Sequence, residues 1–144
     1  MEQNCNVALL NEIYQNSKMG IDAIDTVSKK VDDRQLKSDL TTQSEQYSQF
    51  ASQARQELAQ RGTAPIDNGP LSKASLWSSI QFNTLIDSTP SHIAEMMING
   101  STMGIVQMTK QVREHSDIDD PVRNMASRLI RQEQDNIERM KQYL

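Results

Sequence analysis

Leu10, Ile13, Ser17, Gly20, Ile21, Ile24, Val27 and Val31 recur at steps of three and four, the spacing that places side chains on one face of an α-helix. The pattern predicts a helix from about Asn6 to Lys30. Asp32 and Asp33 interrupt it. Asp32 with Gln35 has the spacing of a capping box, so a second helix is expected to start at Asp32. Its stripe is Leu36, Leu40, Gln43, Tyr47, Phe50, Ala54 and Leu58, and Gly62 is placed to end it in a left-handed conformation. Thr63 to Gly69 reads as a linker, with Pro65 and the Asn68-Gly69 turn signal. Pro70 suits a first helical position, and Leu71 to Ile86 then reads as a shorter helix carrying Trp77 and Phe82. Pro90 opens a third long helix reaching about His115. Asp120-Pro121 opens the last, to about Tyr143, with the stripe Val122, Met125, Leu129, Glu133, Asn136 or Ile137, and Met140.

Four long helices of about 25 residues, roughly 37 Å each at 1.5 Å per residue, are matched in length as a bundle requires. The first and second helices join by a tight link, as do the third and fourth, so each pair is expected to be antiparallel. The middle connection is long enough to run the length of the bundle, whereas a simple up-down order needs only a few residues there. The expectation is an all-α fold of one domain, 1–144. It is a four-helix bundle with a crossover of the ferritin-like kind and a short extra helix between helices two and three.

Composition narrows the function classes. Glycine (5) and proline (4) are scarce and aromatics make up 4%, which favours long helices over a turn-rich β fold. The net charge of -4 gives no electrostatic reason to bind nucleic acid. Residues 1–20 lack a basic start followed by an apolar run, so no signal peptide is expected. The most apolar stretch, Ile93 to Met108, is cut by Glu95, Asn99, Ser101 and Gln107, too polar and short for a membrane span. The single Cys5 cannot form an internal disulfide, which fits a reducing, cytoplasmic setting.

Two segments carry a family resemblance. The stretch Pro90-Ser-His-Ile-Ala-Glu-Met-Met-Ile-Asn-Gly-Ser-Thr-Met-Gly-Ile105 resembles a signature of small bacterial ferritin-like proteins of unknown function. Tyr14-Gln-Asn-Ser-Lys-Met-Gly-Ile-Asp-Ala-Ile24 looks like the first helix of the same family. The resemblance implies a fold rather than an activity, because ferritin-like architecture hosts oxidases, storage cages and metal-free proteins.

A di-iron bundle needs a glutamate on each of two helices and Glu-x-x-His on each of the others, so that hard carboxylate oxygens balance two metal charges. This sequence falls short. Glu45 is followed at the third position by Ser48, and Glu133 by Asn136; His92 and Glu95 occur in reverse order. Folding the last two helices about residue 118 puts Glu133 beside about Met103, with Glu95 roughly 12 Å away along the axis. Folding the first two about residue 32 puts Tyr47 beside Ser17. The middle layer then reads Ser17 or Gly20, Gln43 or Tyr47, Gly100 to Gly104, and Glu133: one carboxylate and no histidine. Glu133, Glu95 and His92 remain the candidate ligands for iron or another divalent metal, and no cofactor is expected.

Glu133 lies within an apolar stripe, and a buried charge needs a partner. The expected partner is the Tyr47 hydroxyl or the Gln43 amide, in a polar layer that fixes helix register. His92 and Glu95 otherwise read as exposed first-turn residues, and His115 as a cation near a helix C-terminus. Gly100 and Gly104 each cost about 1 kcal/mol relative to alanine inside a helix. Close approach of helix one at Gly20 and Ala23 would offset that, and a ligand or a second protomer in the groove is the alternative. Met96, Met97, Met103, Met108, Met125 and Met140 read as adaptable core filler. Asp22, Asp25, Asp32, Asp33 and Asp39 read as solvated faces and caps. Helix three is apolar on more than one face, which points to cover by the short helix or by a second copy in a homodimer. The leading expectation is a non-enzymatic bundle with a binding or structural role. The alternative is a metal-dependent oxidoreductase or metal store.

Overall fold

The computed structural model describes residues 2–66 and 87–144. The short helix with Trp77 and Phe82, and the Asn68-Gly69 turn, lie outside the described residues.

Four α-helices are described, with no strand among these residues: α1 Glu2–Ser28, α2 Arg34–Gln60, α3 Pro90–Glu114 and α4 Asp120–Met140, followed by a 3-10 turn Lys141–Tyr143. The fold is an all-α four-helix bundle. Local chemistry sets most boundaries. The cap of α2 is Asp33 rather than the expected Asp32: its Oδ1 accepts the Leu36 N–H at 2.8 Å from an extended backbone. Gly62, at φ 76°, closes α2. Its N–H donates to the Ala59 carbonyl while that of Thr63 donates to Leu58, the pair of bonds of a Schellman motif. Thr89 caps α3, with Pro90 at the first position where no N–H is needed.

Helix direction follows from which ends meet. The α1–α2 link and the start of α3 share one end, where Val31 to Asp33 face Asp87 to Pro90 across a surface pocket. At the other end Arg61 pairs with Asp119 at 3.1 Å, and the Asp119 N–H donates to Asn6 Oδ1 at 2.9 Å. So α2 finishes, and α1 and α4 begin, at the end opposite to the start of α3. Thus α1 and α4 are parallel, α2 and α3 run the other way, and α2 and α3 are joined from opposite ends. By Ile66 the chain has already turned back along α1: its N–H donates to Asn11 Oδ1 at 2.8 Å and its carbonyl accepts from Gln15 at 2.8 Å.

The core runs between all four helices, with Leu10, Leu36, Ile93 and Leu129 fully buried. Met96, Met97, Met108, Met125 and Met140 are buried in it, while Met103 is half-buried. Helix α3 is not covered all round: Val106 is 47% exposed, and Ile98 and Ile105 are half-buried. One aspartate departs from the expected solvated faces. Asp39 is buried, held by Arg139 Nε at 3.2 Å and by the Tyr143 hydroxyl at 2.5 Å, which fastens the C-terminal turn to the start of α2.

Candidate functional site

The middle of the bundle holds a buried polar layer. Glu133 on α4 is 2% exposed and receives the Tyr47 hydroxyl of α2 on Oε1. Ser101 and Gly104 of α3 and Asn16 of α1 complete its surroundings, with Asn16 Nδ2 donating to the Gly104 carbonyl at 3.5 Å. Each helix therefore supplies a polar group to one layer, and the helical stripes dictate this: Tyr47 and Glu133 lie in the apolar runs of their own helices and must point inward.

Two glycines make room for the pair. A Cβ on Gly20 would lie 2.5 Å from Tyr47 Cε2, and one on Gly104 would lie 2.8 Å from Glu133 Oε2 and 3.0 Å from Asn16 Oδ1. The close approach at these glycines is thus of side chains rather than of one backbone on another. Gly20 receives the Tyr47 ring, Gly104 receives the carboxylate, and Gly100 lines a cavity with Gly20 and Ala23.

Burial pushes the Glu133 carboxyl up to about 7, because a charge is poorly solvated there; Tyr47 and Asn136 act in the opposite sense by favouring the ionised form. The Tyr47 phenol is raised well above its ordinary range, first by burial and then by the neighbouring carboxylate. Near neutral pH the layer therefore holds a carboxyl divided between its two forms. Such a group can give or take a proton, provided a reactant reaches it.

Asn136 Nδ2 and Gln46 Oε1 are each buried without a hydrogen-bond partner, and the largest departure from polar satisfaction near the layer among the described residues is Gln43. It is 3% exposed, and neither its Nε2 nor its Oε1 has a hydrogen-bond partner. It does not bond Glu133. Together with Gln46, Gln132 and Asn136 it lines a groove of about 320 Å³ between α2 and α4.

The other candidates lie elsewhere. His92 and Glu95 sit on the outer side of α3, with Nδ1 and Oε2 3.9 Å apart and both side chains exposed. Glu133 faces Gly104, and Glu95 is then about 14 Å from that level along α3. Glu45 is exposed, and His115 ends α3 against Gln111 at 3.2 Å. Among the described residues no three His, Cys, Asp or Glu side chains gather where they could hold a metal ion. Ser101 falls within the segment Gly100 to Gly104 that the sequence pattern places in the layer, whereas Asn16 is a member that the pattern did not single out. Asn16 stands three residues after Ile13, so helical spacing carried it inward, but its polarity disguised it.

Searches among curated proteins and among solved structures gave no match. The family described as Domain of unknown function (DUF2383) matches residues 6–114, three of the four long helices, and the chain belongs to that family.

Proposed function

We propose that this chain is a non-enzymatic, ferritin-like helical domain with a binding or structural role, in which a polar layer takes the place of a di-iron centre. The observation that carries this reading is the composition of the layer around Glu133. Its neighbours are Tyr47, Asn16, Ser101 and Asn136, and one carboxylate without imidazoles cannot balance two metal ions. The ferritin-like assignment is supported by the order of helix directions, with α2 and α3 parallel and joined from opposite ends, the pattern of bundles with one crossover connection. The half-covered apolar side of α3 at Val106, Ile98 and Ile105 is the feature that favours a homodimer. The unpaired Cys5 is in keeping with a reducing, cytoplasmic setting.

A second reading, a metal-binding oxidoreductase or store, is favoured by one observation. Glu133 is a buried carboxylate on which no cation of the described residues acts. Metal analysis of protein purified without chelator separates the two. The proposal expects less than a tenth of an iron per chain, unchanged in Glu133→Ala. About two irons per chain, lost in that variant, would establish the alternative, since two is the count in di-iron bundles.

A further inference from the structure

Glu133, when ionised, faces no cation among the described residues. Oε1 takes the Tyr47 hydroxyl, while Oε2 faces the space left by the missing side chain of Gly104, next to Asn16 Oδ1. Among the described residues, no Lys, Arg or His pairs with Glu133 or acts on its ionisation. A buried carboxylate with only neutral partners is costly to keep charged. Beside it lies a cavity of about 40 Å³ between α1 and α3. Its polar side is Glu133, Asn16, Ser101 and Tyr47, and its other walls include Met19, Ala23, Met96 and Met97.

Size restricts the occupant. A cavity of about 150 Å³ accommodates benzene, with six heavy atoms, so this one suits about two. It is far below the ~300 Å³ at which ordinary ligand pockets begin. Chemistry restricts it further. A protonated primary amine carries three donors and no acceptor. Three acceptors from three helices line the cavity: the Glu133 carboxylate, Asn16 Oδ1 and the Ser101 hydroxyl. A bare metal cation requires six or more oxygens when it is hard, as calcium is, and the thioether and alkyl walls supply none.

We propose that the cavity beside Glu133 is a binding site for a small organic ammonium ion of about two heavy atoms, the size of methylammonium. The nitrogen lies against Glu133, Asn16 and Ser101, and the alkyl end against Met96, Met97 and Ala23. This rests on the reading above only in requiring that no metal occupy Glu133, so it is tested on chelator-treated protein of measured metal content. Binding depends on pH because the carboxylate must be ionised. The titratable group facing it from the other described helices is Tyr47, while α1 and α3 present the neutral Asn16 and Ser101.

The experiment is thermal unfolding at pH 8 with increasing methylammonium chloride, against sodium, potassium and tetramethylammonium chlorides at equal ionic strength. Methylammonium should raise the melting temperature along a curve that follows one-site linkage, the unfolding constant falling about tenfold per decade of ligand above its Kd. The rise should vanish at pH 5.5 and in Glu133→Gln, and tetramethylammonium, which has no N–H, should match sodium. Saturation transfer from wild-type protein to the methyl protons of methylammonium gives a direct second readout that needs no variant. Methylammonium behaving as sodium does, with no transferred saturation, overturns the proposal. So does an equal response to potassium, which would indicate an inorganic cation instead. Finding two irons per chain defeats the metal-free reading without touching the outcome on iron-free protein.

Discussion

The Tyr47 hydroxyl donates to Glu133 across 86 positions of sequence, and this bond is the direct side-chain link between α2 and α4 at mid-bundle. It holds a phenol and a carboxyl together at full burial, with a glycine vacating space behind each. A hydrogen bond to a charged group contributes about 1.5–3 kcal/mol, against about 0.5–1.5 for a neutral one. Tyr47→Phe should therefore cost about 2–3 kcal/mol at pH 8, where Glu133 is ionised, and about 1 kcal/mol at pH 5.5. Urea unfolding at the two pH values measures both; equal costs would show that the bond does not sense the charge.

The pH dependence of stability should carry Glu133's signature. Its carboxyl is raised from 4.5 to about 7 by folding, so the folded chain binds more protons than the unfolded one across that interval. The contribution is greatest below pH 4.5 and is lost as pH rises through 7. The shift corresponds to about 3 kcal/mol at most. The stability of Glu133→Gln relative to wild type should rise by about that amount between pH 4.5 and 8.5. A difference that stays constant with pH would place the folded value near the unfolded one.

The two glycines should respond unequally to alanine. At Gly20 a new Cβ meets the Tyr47 ring at 2.5 Å, and an aromatic ring fixed by its own hydroxyl can yield only by moving α2 or breaking the bond to Glu133. At Gly104 the nearest atom, at 2.8 Å, is the end of a longer side chain. Overpacking costs about 1–3 kcal/mol, and the helix gains about 1 kcal/mol on replacing glycine. Gly20→Ala should lose about 2 kcal/mol and Gly104→Ala about 1 kcal/mol or less.

At the far end of the bundle, Tyr143→Phe should release the C-terminal turn. Asp39 keeps Arg139 but loses the phenol, and the Tyr143 hydroxyl, raised by burial and by Asp39, is a strong donor to that carboxylate. The expected loss is about 1–2 kcal/mol in unfolding free energy, with faster amide exchange in residues 141–144. Unaltered exchange there would mean that the turn is held by packing of Met140 and the ring at position 143 rather than by the hydroxyl.

The sequence by itself determined what is local. Steps of three and four drew the four helical stripes. Thr89-Pro90 and Gly62 marked helix ends, because caps and left-handed closures involve neighbours a few residues apart. It also singled out Glu133 as a polar residue within an apolar run, with Tyr47 and Gln43 as its candidate partners. Only the tertiary structure decided between those two. The choice depends on how α2 and α4 slide past each other, and a shift of one turn exchanges one side chain for the other. The same applies to Asn16 and Asp39. Each was legible as polar, but burial is set by a helix far away in the chain, Gly104 of α3 for the one and Arg139 with Tyr143 for the other. Periodicity tells a side chain which way to face. What it meets there depends on contacts between distant segments, which form only when the bundle closes.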